Sequence, residues 1–212
     1  MNARYLVISL FAALIGFVLT MPQSARADSA QCSTAGCTVN ANVNLQVVIP
    51  GFIRMQIGAS GTTSTVTFDY TGNPTAIGTG APAGSISGGD LGGALITADV
   101  FSNAATPSGS LTMTTAVSGL GLGIQCTPAA GSNCTAADHL NWNEIDTQLT
   151  SGSVTPPPLN NGGTGTANYP ANAGGVVNES ATWTYDFLNT AAVLNAPSGT
   201  YDGTVTYTIQ IP

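Results

Sequence analysis

The stretch "TVTYTIQI", residues 204–211, alternates apolar side chains with hydroxyl and amide side chains. Its apolar members are Val205, Tyr207, Ile209 and Ile211. Because successive side chains of an extended chain point to opposite faces, this pattern predicts a β-strand with one face toward a core. The strongest runs of this kind carry enough apolar side chains to line both inner faces of a two-sheet sandwich.

Further alternating runs occur along the chain, whereas helical periodicity is rare. Clusters of Gly, Pro, Asn and Ser separate these runs, which is typical of all-β proteins. The predicted strands are residues 38–49, 52–57, 65–70, 94–101, 110–117, 182–188 and 204–211. We therefore predict an all-β protein with an Ig-like antiparallel β-sandwich. A single short helix is predicted over residues 136–149, with Asp138 as its capping residue.

Two long stretches between the predicted strands are rich in Gly, Pro, Ala, Ser and Asn, and carry few charges. They span residues 72–93 and 151–175, and the second contains three consecutive prolines at 156–158. Such compositions are typical of loops, so both stretches are predicted to lie on the surface.

The first residues have the parts of a secretory signal peptide. Arg4 is followed by an apolar run over residues 5–20 and then by the sequence Ala25-Arg26-Ala27, which is typical of a cleavage site. We expect residues 1–27 to be removed, residues 28–49 to form an N-terminal extension and residues 50–212 to form the sandwich. An uncleaved membrane anchor is the alternative, because the apolar run approaches the length of a membrane span.

The charge of the expected mature chain excludes several partners. Arg54 is its only Lys or Arg, and all ten acidic residues remain, so its formal charge is 1 − 10 = −9. Nucleic acids and anionic membrane surfaces require clusters of Lys and Arg, so neither is an expected partner. No segment after the signal is long and apolar enough to be a membrane span.

Four cysteines form two close pairs in the sequence, Cys32 with Cys37 and Cys126 with Cys134. Export to an oxidising compartment favours disulfides. Three pairings are possible, and we favour the two local ones because each closes a short loop. A zinc site is the weaker alternative, since neither spacing is C-x₂-C.

Most enzyme classes lack their necessary residues in this chain. A lone His139 cannot form an H-E-x-x-H zinc site, and a lysine-free mature chain has no P-loop or Schiff base. We therefore expect no catalytic residue, cofactor or metal. The remaining candidates for acid–base chemistry are His139 with Asp138, Glu144 and Asp146. The carboxylates that could form a glycoside-hydrolysing pair are Asp69, Asp90, Asp99 and Glu179. The oxygen-rich loop at 69–73 resembles a calcium ligand set only in composition.

The segment "CTVNANVNLQVVIP", residues 37–50, also alternates apolar and polar side chains. The apolar positions are Val39, Ala41, Val43, Leu45 and Val47. This face requires an apolar surface to cover, and two surfaces are possible. The segment is either the first strand of its own sandwich or a strand that a neighbouring molecule receives.

Both ends of the chain resemble a known family. The closing segment "SGTYDGTVTYTIQIP", residues 198–212, resembles the terminal strand of chaperone–usher pilins and of spore-coat-U-like secreted domains. That likeness covers Tyr201, Val205, Tyr207, Ile209 and Ile211. The opening segments "TVNANVNLQVVIP" and "FIRMQIG" resemble the start of alpha-type (colonisation-factor) fimbrial subunits.

The resemblance implies a sandwich that lacks one strand and receives it from the next subunit. Residues 38–49 would then be the donated strand, and their five apolar side chains would enter pockets of the neighbour. The implied partners are identical or related subunits, a periplasmic chaperone, an outer-membrane usher, and a glycan or surface receptor. The implied location is a cell-surface filament of a bacterium. The alternative function is a secreted glycan-binding or matrix module that uses Trp142, Trp183 or Tyr169 as stacking platforms.

Overall fold

The computed structural model describes residues 31–119, 121–161 and 165–210, and within them the protein is all-β. The predicted signal peptide, residues 1–27, and Ile211 of the predicted last strand lie outside the described residues. The chain divides between residues 49 and 50 into two units. The second unit contains every strand that the structure describes.

The described residues form twelve strands and three short 3₁₀-helices, with no α-helix among them. The strands are β1 (Ile53–Ile57), β2 (Val66–Asp69), β3 (Ser85–Gly88), β4 (Leu95–Ser102), β5 (Ser110–Val117), β6 (Ile124–Thr127), β7 (His139–Leu140), β8 (Ile145–Gly152), β9 (Thr166–Pro170), β10 (Val177–Phe187), β11 (Thr200–Asp202) and β12 (Val205–Gln210). The 3₁₀-helices are Pro74–Ala76, Trp142–Glu144 and Ala191–Asn195.

Two antiparallel sheets form the sandwich. Sheet I has the strand order β1-β4-β10-β8, and sheet II has the order β12-β5-β9. Two smaller sheets, β11-β6-β7 and β2-β3, complete the described strands. The predicted all-β sandwich is therefore confirmed.

The central strands of the two sheets owe their positions to alternation. In β4 every second residue is buried, and β5 follows the same pattern. Strands with this period place their apolar side chains on one face, so β4 and β5 can pack against each other's sheets. The resulting core joins residues of both sheets: Ala98, Val100, Leu111, Met113, Tyr169, Val177, Ala181 and Trp183.

The two local disulfide pairings are confirmed. Cys126 and Cys134 are joined with their Cα atoms 6.2 Å apart, and both side chains are buried. Cys32 and Cys37 are joined with their Cα atoms 6.4 Å apart and are exposed.

The predicted helix over residues 136–149 is wrong. These residues form β7, the 3₁₀-helix Trp142–Glu144 and the first part of β8. The reason is pairing with β10, which aligns Ile145 with Phe187 and Leu149 with Trp183. Hydrogen bonds between strands and shared core contacts outweigh the loose helical spacing of Leu140, Ile145 and Leu149.

The prediction of a surface loop over residues 151–175 is also wrong. Val154, Pro156, Pro157 and Leu159 are buried, and residues 166–170 form β9. The Tyr169 hydroxyl donates a hydrogen bond to the Thr155 carbonyl at 2.7 Å, and the Trp183 indole donates one to the Val154 carbonyl at 2.5 Å. The segment 153–159 is therefore part of the core, although its composition is that of a loop.

The stretch 72–93 was predicted to be a loop, and it contains β3. β3 pairs with β2, and all four of its residues are exposed. The predicted strand 182–188 is longer than expected, because β10 begins at Val177. Its first half escapes prediction because Asn178, Glu179 and Ser180 hide the alternation of Val177 with Ala181.

Candidate assembly site

The N-terminal segment 38–49 forms no strand in the part of the chain that the structure describes. No residue of 31–49 belongs to a strand, and every one of them is exposed. Its apolar side chains include Val43, Leu45 and Val47, which are 82%, 85% and 83% exposed, and Val39, which is 44% exposed. The whole segment, including its apolar face, is exposed to water. Exposed apolar surface of this kind is typical of interaction sites.

The first residues of the second unit are held by Asn103. The Asn103 amide Nδ2 donates to the Pro50 carbonyl at 3.0 Å, and its Oδ1 accepts from the Phe52 backbone N–H at 2.8 Å. The Asn103 backbone N–H donates to the Phe52 carbonyl at 3.2 Å. The rings of Phe52 and Phe101 stack with centroids 5.0 Å apart. Residues 50–52 are therefore held in a defined position next to the start of β1.

The connection between β8 and β9 contributes side chains to the core of the sandwich. The edge strands of sheet I are β1 and β8, and those of sheet II are β9 and β12. Residues 153–159 follow β8 on the way to β9, and the Pro158 carbonyl accepts a hydrogen bond from the Thr115 hydroxyl of β5 at 3.3 Å. Val154 and Leu159 are buried in the core, whereas five of the eight residues of β8 are exposed.

The edge strands β1 and β12 each pair with a strand on one side only among the described residues. Their core-facing side chains contact the same core but are only partly buried: Ile53, Met55 and Ile57 in β1, and Tyr207 and Ile209 in β12. The central strands β4 and β5, by contrast, bury their core-facing side chains fully. An edge strand also has backbone N–H and C=O groups on one side that no neighbouring strand satisfies.

Tyr207 of β12 belongs to a cluster of aromatic side chains in the core. The rings of Tyr207 and Trp183 have centroids 5.4 Å apart, and the hydroxyls of Tyr207 and Tyr185 are hydrogen-bonded. Burial raises the pKa of Tyr185 to about 12. Burial also raises the pKa of Tyr207 and that of Tyr169 well above the ordinary value. These hydroxyls stay neutral at any physiological pH and serve as hydrogen-bonding groups inside the core.

The polar candidates near His139 have structural partners. Asp138 accepts hydrogen bonds from the backbone N–H and the hydroxyl of Thr135, at 2.8 and 2.9 Å. The backbone N–H of Thr135 is the main reason that the pKa of Asp138 lies below its ordinary value. Buried Glu144 accepts from the backbone N–H and the hydroxyl of Thr190, at 2.9 and 2.5 Å. His139 and Glu144 line a hollow of about 220 Å³ beside the 3₁₀-helix Ala191–Asn195.

Of the other acidic candidates, Asp99 and Glu179 lie on the neighbouring strands β4 and β10, where Asp99 is opposite Ser180 and Glu179 is opposite Val100. Asp69 accepts from the Thr71 backbone N–H and hydroxyl, and this backbone hydrogen bond lowers the pKa of Asp69. Asp90 accepts from the Thr97 N–H at 2.8 Å, and Glu179 accepts from the Ser153 hydroxyl. Among the described residues no group of three His, Cys, Asp or Glu side chains is placed to hold a metal ion.

The three proposed stacking platforms for a glycan are buried, which contradicts that expectation. Trp142 is 3% exposed, and its indole N–H donates to the Ser118 carbonyl at 2.8 Å. Trp183 is fully buried and Tyr169 is 2% exposed. The reason is that Trp142 packs where the chain passes from β11 to β12. There a Cβ on Gly203 would lie 2.5 Å from the Trp142 ring.

The predicted terminal strand is found as β12 over Val205–Gln210. Tyr201 belongs instead to β11, which pairs with β6, and its hydroxyl donates to the Pro197 carbonyl at 2.8 Å. The Asn103 contacts and the core position of residues 153–159 were not predicted from the sequence. Neither region carries an alternating pattern that would indicate its contacts.

Comparison with protein-family models, with curated proteins and with solved structures found no match to this chain. In the part of the chain that the structure describes, no helix has the length and apolarity needed to cross a membrane.

We expect the free energy of unfolding to fall as the pH rises from about 10 toward 12. Unfolded tyrosine titrates near pH 10, whereas folded Tyr185 titrates near 12. The stabilisation is complete below pH 10 and declines by about 1.4 kcal/mol per pH unit for each such tyrosine. Urea unfolding at pH 8, 10 and 11 measures this slope. Tyr207→Phe should reduce it, and an unchanged slope would contradict the role of this cluster.

Asn103→Ala should lower the free energy of unfolding by about 1–2 kcal/mol, because two hydrogen bonds to residues 50–52 are lost. The same variant should accelerate hydrogen exchange at the Phe52 amide, which donates to Asn103. Asn168→Ala is the matched control, because Asn168 accepts one exposed hydrogen bond from the Thr112 hydroxyl. Equal losses in the two variants would show that Asn103 does not fix this junction.

Proposed function

We propose that this chain is an exported structural subunit of a bacterial cell-surface filament of the fimbrial type. In this proposal residues 38–49 of one copy complete the sandwich of the next copy along the edges β1 and β12. One observation carries the proposal: an exposed alternating segment that forms no strand occurs in the same chain as a sandwich whose edge strands β1 and β12 are paired on one side only among the described residues.

The chemistry of the two surfaces is complementary. Strand addition satisfies backbone groups at a sheet edge, while alternate side chains fill apolar pockets. The segment offers Val39, Ala41, Val43, Leu45 and Val47 on one face. The sandwich offers partly buried apolar side chains along both edge strands. Burial of five such side chains stabilises the contact by on the order of 8–12 kcal/mol at most.

The symmetry of this contact produces a filament. The donated segment and the receiving edges are different surfaces, so each copy has one of each and the contact repeats from head to tail. The partners are identical or related subunits. Uncovered strand edges also promote aggregation before assembly. A periplasmic chaperone that covers them and an outer-membrane usher that organises the exchange are therefore proposed partners.

The surface of the subunit suits a polymer that works outside the cell. The two local disulfides and the small number of charged residues are compatible with an exported protein. Adhesion of the filament to a glycan or surface receptor remains part of the proposal. No stacking platform for a glycan is assigned, because Trp142, Trp183 and Tyr169 are buried.

Val43→Asp should abolish assembly, whereas Asn44→Asp should preserve it. Both variants add one negative charge to an exposed segment, but they place it on opposite faces of the donated strand. An unpaired carboxylate in an apolar pocket costs several kcal/mol, while one facing water costs little. Sedimentation and electron microscopy of the purified chains measure the polymer. Circular dichroism checks that both sandwiches are folded.

Loss of assembly in both variants, or in neither, would contradict donation of this face. The first result would indicate a general charge effect, and the second would show that the face is not buried in the polymer.

A synthetic peptide of residues 37–50 should raise the melting temperature of the dilute, unassembled chain. It fills the receiving edges without adding a further subunit, and ligands that bind only the folded state stabilise it. A peptide with the Val43→Asp change is the matched control. A dilute monomer whose melting temperature is indifferent to the native peptide would overturn the proposal.

A further inference from the structure

The free end of the N-terminal segment carries a small ring. The disulfide between Cys32 and Cys37 encloses four residues, with the Cα atoms of the two cysteines 6.4 Å apart. The chain turns over residues 34–36, and Gly36 adopts φ of +86°, which glycine allows without steric cost. Thr38, the first residue of the alternating run, follows Cys37 directly.

The other end of the same run is fixed by the Asn103 contacts to Pro50 and Phe52. The ring and this fixed point bound the twelve residues from 38 to 49. In the extended conformation twelve residues reach about 40 Å. The run therefore has a defined length between two features that are wider than a strand.

Alternation alone does not fix the position of such a strand along its groove. A slip of one residue exchanges the apolar and polar faces, and burial prevents it. A slip of two residues returns an apolar side chain to every pocket. Val39, Val43 and Val47 are identical side chains at a spacing of four, and no charged residue lies between 37 and 50. Some other feature must therefore set the register.

We propose that the Cys32–Cys37 ring is a stop at the free end of the donated strand and fixes its register in the neighbouring copy. This inference rests on the proposed strand donation. Neighbouring strands lie about 4.7–4.9 Å apart, so a groove that accepts one strand has no room for two passes of the chain. The ring stays beyond the last pocket, so the donated strand cannot slide along the groove in the direction of its own Pro50. The donor's own sandwich, attached at Pro50, prevents sliding in the opposite direction.

The register can be measured in filaments of the full chain. Asn44, on the polar face, is replaced by the photo-reactive amino acid p-benzoylphenylalanine, and cross-linked residues of the receiving copy are identified by mass spectrometry. The native chain should give one site on β1 or β12. Cys32→Ala with Cys37→Ala should add a second site two residues along the same strand. Insertion of Thr-Val between Cys37 and Thr38 should do the same, because it provides two residues of slack with the ring intact.

Insertion of Thr-Val between Gln31 and Cys32 is the matched control. It lengthens the chain equally but leaves the spacing from ring to strand unchanged, so it should give the single native site. A single native site in both test variants would overturn the inference while leaving strand donation intact. If the cysteine variant forms no filament, the insertion after Cys37 decides the outcome.

Loss of assembly in the Cys37 insertion variant alone would also overturn the inference, since a stop placed two residues further out leaves the native register accessible. If the native chain forms no head-to-tail polymer, the proposed function itself fails. The two failures are therefore distinguishable.

Discussion

A two-sheet sandwich has four edge strands, and the structure of this protein depends on what each edge strand contacts on its unpaired side. The connection 153–159 contributes Val154 and Leu159 to the core beside β8 and β9. The edge strands β1 and β12 each pair on one side only among the described residues. Their inward side chains contact the core but stay partly exposed. Each of these strands therefore offers backbone groups and apolar surface for association.

Asparagine side chains hold several loops of this chain, which has few charged residues. Asn103 fixes residues 50–52, and fully buried Asn189 donates to the carbonyls of Ala76 and Ala81 and accepts from the Gly78 N–H. A side-chain amide carries both a donor and an acceptor, so it can replace a backbone partner where the chain turns. Neutral hydrogen bonds of this kind are less sensitive to salt than surface ion pairs.

Local pattern predicted the strands that are half-buried, and failed where contacts are distant in sequence. β5 was predicted with its observed ends, and β4 and β12 to within about one residue, because each alternates with period two. The segment 153–159 has the composition of a loop, and only its contacts with Tyr169 and Trp183 reveal it as core. The predicted helix at 136–149 failed for the same reason, since β10 supplies the partner that makes β8 a strand.

Spacing and period in the sequence predicted the all-β class and the alternating face of residues 38–49, and favoured the two local disulfide pairs. These features depend on residues that are close together in the chain. The burial of Trp142, the core position of residues 153–159 and the hydrogen bonds of Asn103 to Pro50 and Phe52 come from the tertiary structure. Those features depend on segments far apart in the chain. Their contacts exist only after the sheets have formed, and no local pattern encodes them.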